Sequence, residues 1–466
     1  MKKKDLPEKL YDLIPSQATM YMMVKYSLHK NLVQIPTSFS VDREIDFDLL
    51  KQAFNIEIAR NDSLRLRFVK QDKKIKQYFL PEYHVDDIPV LHFANKAEQD
   101  AFFSKDVKRP VLFLKETFRI YFYRTDGVGN GLYFNTTHLT MDAMGIVIMY
   151  FDMLSIYKAL RSGSEMPAPL EPYEKYIQEE FMRLADQRRM ARHIDFYKKY
   201  FLKGGEPMYA GVHGPAFLEK TRKKKKNPTL RVPNAYNPLY DKCELLVQDI
   251  DAQDAKKIFD YCMENKLAPE SLLQFGLRTY CSAANGRTPD VFMMSMCSKR
   301  ASNKEKHMGG CIAQPLQLRT ILPETMTFRE AMDEMTFTRT QLFRHSQFPY
   351  PFALQISRDL YNFSATQGPA CMMFSWIPIP LGEMLPFKLD FQAYNLEHYF
   401  SPLYVISHPD PRTNGIRINY MYRVKLSTEA DIRALHENAV KVILAGIDNP
   451  DCTLGALLDQ VRVAQH

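Results

Sequence analysis

The stretch Tyr133–Gly145, YFNTTHLTMDAMG, decides how the first third of the chain is read. It carries one histidine, His138, and one aspartate, Asp142, with three residues between them. Upstream, Phe118–His138 alternates as two strands around the turn TDGVGNG. Downstream, Ile146, Met149, Tyr150, Met153, Leu154 and Tyr157 follow the spacing of one helix face. His138 therefore ends a strand, and Asp142 stands just before a helix, where aspartate is a favoured N-cap. Histidine suits proton transfer near neutral pH, but a lone His-x-x-x-Asp is a weak motif. What surrounds it has to decide its meaning.

The chain has 466 residues, 45% of them hydrophobic and 25% charged, with a formal net charge of +8. Such a length calls for two lobes rather than one core. Part of the positive charge sits in one segment, Glu219–Arg231 (EKTRKKKKNPTLR), without the aromatic interleaving of a nucleic-acid surface, so no nucleic-acid partner is expected. No stretch approaches the run of about 20 apolar residues of a membrane helix. The opening MKKKDLPEKLYDLIP is basic but has no apolar core, unlike a secretory signal. The seven cysteines all lie at or after Cys243, without a Cys-x-x-Cys pair. Buried thiols in a cytoplasmic protein are the expectation. The twelve histidines form no His-x-x-x-His pair, so no metal site is expected.

Residues 1–165 mix strands and helices. Gln34–Asp46 reads as a strand and turn, and Phe47, Leu50, Phe54 and Ile58 give the next segment a helical face. LRLRFVK and KIKQYFL read as two strands around a polar turn at Gln71–Lys74. Residues 166–240 form a helical connection, about Glu171 to Phe201, and a basic linker over 203–238 that has the least ordered look. Residues 241–466 restart with the strand CELLVQDI and the helix AQDAKKIFDYCMENK. Helices near 270–284 and 328–346 follow, interleaved with the strands VFMMSMC, ACMMFSWIP, LYVISH and IRINYMY. Both halves are α+β, which suggests an internal duplication, and neither a dinucleotide fingerprint nor a P-loop is present.

Several stretches, in order, resemble the condensation-domain branch of the chloramphenicol-acetyltransferase-like acyltransferases. Ile14–Met22 (IPSQATMYM) is similar to the family's opening Ser-x-x-Gln-like segment. Phe47–Phe68 resembles its helix plus Arg-His-x-x-Leu-Arg-x-x-Phe, with Asn61 in the histidine place. Thr137–Gly145 resembles His-His-x-x-x-Asp-Gly. Ser298–Arg319 (SKRASNKEKHMGGCIAQPLQLR) resembles the Gly-Arg…Gly-x-x-x-Asn-x-x-Pro-x-Arg stretch, and His345–Gln355 the His-Gln-x-x-Pro-Phe segment. Two departures stand out: Thr137 replaces the first histidine, and Ala143 the glycine after the aspartate.

The resemblance implies an α+β fold of two chloramphenicol-acetyltransferase-like lobes, a V-shaped pseudo-dimer with a tunnel between them. It implies acyl transfer from a CoA or phosphopantetheinyl carrier-protein thioester to an amine or hydroxyl acceptor, with no bound cofactor. His138 is then the general base, Asp142 and Arg300 a supporting pair, and the protein a monomer. Thr137, Ala143, Trp376, Ser401 and Tyr404 are candidates for the tunnel and substrate. The run Arg222, Lys223, Lys224, Lys225 and Lys226 is a candidate dock for a carrier protein or CoA, against the plainer reading of a solvated, partly disordered loop. Arg60, Arg65 and Arg67 are expected to serve the fold. Thr137 and Ala143 leave an alternative open, a degenerate relative that binds a carrier protein or acyl ligand without turnover.

Overall fold

A computed structural model describes residues 9–234, 241–378 and 389–464. Lys2, Lys3 and Lys4 of the opening, the end of the basic linker at 235–238 and the last two residues of FSWIPIP lie outside the described residues. The chain forms two compact units. The first takes in Met1–Arg189, Ser298–Ala313 and Leu385–Leu396; the second takes in Met190–Cys297, Gln314–Met384 and Glu397–His466.

The first unit is built on a five-stranded sheet in the order Leu389–Ala393, Gln34–Val41, Gly129–Thr137, Phe118–Thr125, Val90–Phe93. All pairs are antiparallel except the last. Alternation along Gly129–Thr137 divides its side chains between two faces. Leu132 and Phe134 enter a core with Phe54 and Ile58 of helix Phe47–Arg60 and with Met149 and Met153 of helix Ala143–Ser162. On the other face Tyr133 stacks on Phe103 of helix Lys96–Val107, with ring centroids 4.2 Å apart. The Tyr133 hydroxyl donates to Asp106, which also pairs with Arg119. A smaller sheet carries the expected hairpin, Leu66–Gln71 against Lys74–Phe79. Asp72 and Lys73, both left-handed at φ 48° and 64°, turn it, the backbone that a two-residue hairpin turn requires.

The expectation that no stretch approaches a membrane span is corrected here. Helix Ala143–Ser162 is long and apolar enough by length and composition. Its apolar residues, Ile146, Met149, Tyr150, Met153 and Ile156 among them, are buried in the first unit's core. Its apolar character is used in packing.

The second unit has a six-stranded mixed sheet, ordered Gln314–Ile321, Asp290–Cys297, Met373–Trp376, Leu403–Asp410, Gly415–Arg423, Cys243–Ile250. Helices Pro269–Ala284 and Glu429–Asp448 pack at Gly276, where an added Cβ would lie 2.6 Å from the Ala439 carbonyl oxygen. The helical connection is two helices, Tyr173–Ala185 and Gln187–Leu202, broken where Asp186 is extended.

Residues 203–238 are a second correction, because this stretch contains helix Ala216–Lys225. Arg222, Lys223, Lys224 and Lys225 form its last turn, and Lys226 closes it in the left-handed conformation at φ 50°. Lysine and arginine are good helix formers, and cations are favoured at a helix C-terminus. The basic run is a helix end, not a disordered loop.

Candidate active site

His138 follows the last residue of strand Gly129–Thr137, and its loop is fastened before its side chain is considered. Its N–H donates to the Val33 carbonyl at 2.7 Å, and the Thr137 N–H to the Thr117 carbonyl at 3.0 Å. The Gln17 amide donates to the Leu139 carbonyl at 3.0 Å. Gln17 is itself fully buried and pairs with Gln77. The Ile14–Met22 stretch thus reaches the loop directly.

Asp142 caps helix Ala143–Ser162, its Oδ1 accepting from the Gly145 N–H at 2.8 Å. Its Oδ2 accepts from the N–H groups of Ile312 and Ala313 at 2.9 and 2.8 Å and from Arg300 Nη1 at 3.0 Å. Burial alone would raise the Asp142 pKa. The Arg300 guanidinium and the N–H donors outweigh it and hold the carboxyl below its ordinary range. Arg300, also buried, turns its remaining donors to the carbonyls of Ser298, Met308, Gly309 and Gly310. Gly145 must be glycine for this closeness, since a Cβ there would meet the Gly310 carbonyl oxygen at 2.9 Å. Just before Arg300, Lys299 forms a buried ion pair with Glu180 at 3.0 Å.

His138 is partly exposed, while its neighbours Thr137 and Leu139 are buried. Its Nδ1 lies 3.7 Å from Sγ of Cys311. Burial of the ring lowers its pKa below 6.5, against the opposing pull of the Asp142 charge. Such an imidazole is neutral at pH 7 and able to accept a proton. Thr137, at 2% exposure, lies inside the fold, and its hydroxyl is 3.4 Å from the Leu139 N–H. Ala143 is the partly exposed first residue of its helix.

The first unit thus brings together His138, Asp142, Arg300, Thr137 and Ala143. Trp376, Ser401 and Tyr404 belong to the second unit. There Trp376 packs against the core, and the Ser401 hydroxyl donates to the Leu403 carbonyl. The Tyr404 hydroxyl lies 2.7 Å from that of Ser375, and its ring stacks on Tyr399. In the basic run Arg222 holds the Leu230 carbonyl and Lys225 the Asn234 side chain, while Lys223, Lys224 and Lys226 are exposed. Arg60 pairs with Asp152, and Arg65 and Arg67 bind backbone carbonyls.

Sequence reasoning missed Cys311 and Tyr173. The Tyr173 hydroxyl donates to the Cys311 carbonyl at 3.0 Å, and its ring lies against Gly310. Ser298–Arg319 was located, but no periodicity reveals that Cys311 meets a residue 173 positions away.

The chain matches the Condensation domain family over residues 7–458. It is 22% identical over 463 residues to surfactin synthase subunit 1 of Bacillus subtilis (strain 168), which covers 96% of this chain and 12% of that protein. The chain thus spans about an eighth of that relative's length. Among solved structures it resembles a variant of the starter condensation domain of rhizomide synthetase, in complex with C8-CoA and Leu-SNAC. The TM-score is 0.78 at 14% identity, covering 98% of each chain. It also resembles the SgcC5 protein from Streptomyces globisporus in complex with a naphthyl ethanediol, with TM-score 0.72 and 16% identity over 95% of this chain and 100% of that one. Condensation domains are acyltransferases that form amide bonds. With two α+β lobes of chloramphenicol-acetyltransferase-like fold and a family match from residue 7 to residue 458, this chain belongs to the condensation-domain family.

Proposed function

We propose that this chain is an acyltransferase that takes an acyl group from a CoA or carrier-protein thioester and places it on an amine or hydroxyl acceptor. The observation that carries this reading is a partly exposed His138 with a lowered pKa, on a loop fastened from several sides. In the reaction the acceptor's N–H or O–H proton passes to the neutral imidazole as its lone pair attacks the thioester carbonyl carbon. The tetrahedral intermediate collapses with cleavage of the C–S bond. The thiolate leaves, and the imidazolium returns the proton to it. No acyl-enzyme is required. Asp142 and Arg300 hold the loop that presents His138. The C8-CoA and Leu-SNAC complex of the rhizomide domain supports an acyl-CoA donor and an amine acceptor, and the diol complex keeps a hydroxyl acceptor in view.

A second reading is binding of an acyl thioester without turnover. Thr137 favours it, because this departure from the histidine doublet is buried directly beside His138. Release of free thiol from a panel of acyl-CoA and acyl-carrier thioesters, with mixed amines and alcohols, separates the two. Acceptor-dependent release that vanishes in folded His138→Ala supports acyl transfer with this base. Equal release in both proteins removes His138 from the mechanism. Tight binding with no release in either supports the second reading.

A further inference from the structure

Helix Gln187–Leu202, which enters the second unit at Met190, is fastened there by different means toward its two ends. Toward its C-terminus the Tyr200 hydroxyl donates to the Gln317 carbonyl at 2.9 Å and accepts from the Arg319 N–H at 2.8 Å. Toward its start Met190 and Ile194 pack on the core. Between them His193 is buried, its Nδ1 lying 2.9 Å from Nδ1 of His345. His345 closes helix Phe328–Arg344. Its ring lies flat on Phe196, with centroids 3.8 Å apart and planes within 4°, while His193 stacks on Phe348. Each ring is thus held by an aromatic neighbour as well as by the other histidine.

Two ring nitrogens at that distance need one proton between them, whichever ring supplies it. Two neutral rings can make the contact, and so can one imidazolium with one neutral ring. Two imidazolium rings cannot, because their N–H groups would point at each other. Arg189 stands one turn before His193 on the same helix face. Arg192 and Asp195 are exposed close by on that helix, and Arg344 is exposed just before His345. The loop beyond His345 is held by a neutral group, the Gln314 amide, which donates to the Ser346 and Phe348 carbonyls. The helix C-terminus and the Phe196 face favour one charge on His345, and the arginines disfavour a second.

We propose that the His193–His345 pair is a pH-sensitive fastening, which holds the start of helix Gln187–Leu202 at neutral pH and lets go when both rings are protonated. This does not depend on the acyltransferase reading. Burial lowers the His345 pKa below 6.5, so the stabilising share of the contact is present above that unfolded value and lost as pH falls through the lower folded one. Because the rings interact, their protons enter in two steps that belong to the pair.

The test is hydrogen exchange of the full chain, read by mass spectrometry over residues 190–197 from pH 7 to pH 5, with each rate corrected for its intrinsic pH dependence. Opening that frees both rings to take up protons should raise exchange of this segment about tenfold or more across that range. His193→Gln and His345→Gln each replace one ring with an amide that can donate or accept. Either should shrink the rise to about threefold. In 15N-histidine spectra of the wild type the two rings should protonate in separate steps, the second accompanied by loss of protection. A flat wild-type exchange profile overturns the proposal, as does a rise of full size in both variants. So do wild-type rings that both protonate near pH 6.5 while the segment stays protected, a result that needs no variant to fold.

Discussion

His138 and Asp142 are four residues apart in one loop, yet they are supported in opposite ways. Asp142 has both carboxylate oxygens occupied, by three peptide N–H groups and a guanidinium, and is 1% exposed. The His138 ring has one distant sulfur beside it, and the residue is partly exposed. A carboxylate bound by four donors is held in position. An imidazole with few partners keeps a nitrogen available. Fixity and reactivity are thus divided between the two ends of the motif.

The sharpest way to break that contrast is His138→Ala. Removing a general base should cut thiol release by about 10²–10⁴-fold, with the melting temperature little changed. A melting temperature that collapses would mean that His138 is also holding the loop. Next in size is Arg300→Ala, which leaves the Asp142 carboxylate buried without its counter-charge. Urea unfolding should show a loss of about 3–5 kcal/mol, and a loss near zero would mean that the three peptide donors suffice.

Titration should separate the pair along the pH axis. His138 is depressed below 6.5 in the fold, so its stabilising contribution is present above that unfolded value and lost as pH falls through the lower folded one. Asp142 is depressed below 3.8, so its contribution persists until more acidic pH. The acid limb of the rate profile should therefore lie below the ordinary histidine range. A limb above 6.5 would contradict the burial of the ring. The smallest effect is expected outside the pair. Lys223→Ala with Lys224→Ala, both exposed, should change stability by within about 0.5 kcal/mol. If these variants instead weaken use of a carrier-protein thioester at low salt but not of acyl-CoA, the basic helix end is a docking element.

Much of the first unit's local structure was legible because its patterns are local. The alternation of Phe118–Thr137, the hairpin around Asp72 and Lys73 and the helical face from Ile146 to Tyr157 each depend on residues within a dozen positions. Helix Lys96–Val107 was not read, since KAEQDAFFSKDV shows only a faint apolar stripe and is held by Phe103 stacking on Tyr133. Nor was helix Glu429–Asp448, which follows the strands without an obvious break. At the site, the cap made by Asp142 and its pairing with Arg300 were expected and are present, but the peptide donors of Ile312 and Ala313 and the thiol beside His138 were not legible. Both depend on Ser298–Ala313 returning to the first unit, and long-range pairing of that kind leaves no periodic trace. The lysine-rich segment differs for another reason: its charge suggests a solvated loop, whereas helix propensity prevails.

Strand Leu389–Ala393 pairs with Gln34–Val41 in full register, from Leu389 opposite Val41 to Ala393 opposite Thr37. The partners are separated by 348 positions, 389 minus 41. At about 5–20 residues per second on the ribosome, that interval is roughly 20–70 s. For this time the first sheet is one strand short, and the Gln34–Val41 edge offers unpaired N–H and C=O groups to any neighbouring chain. The loop of His138 and Asp142 matures late as well, because Asp142 cannot find Arg300 until the intervening chain has been made. Newly made chains thus pass through a window in which this edge is open to misassembly, and a chaperone that covers it would act before the loop of His138 is complete.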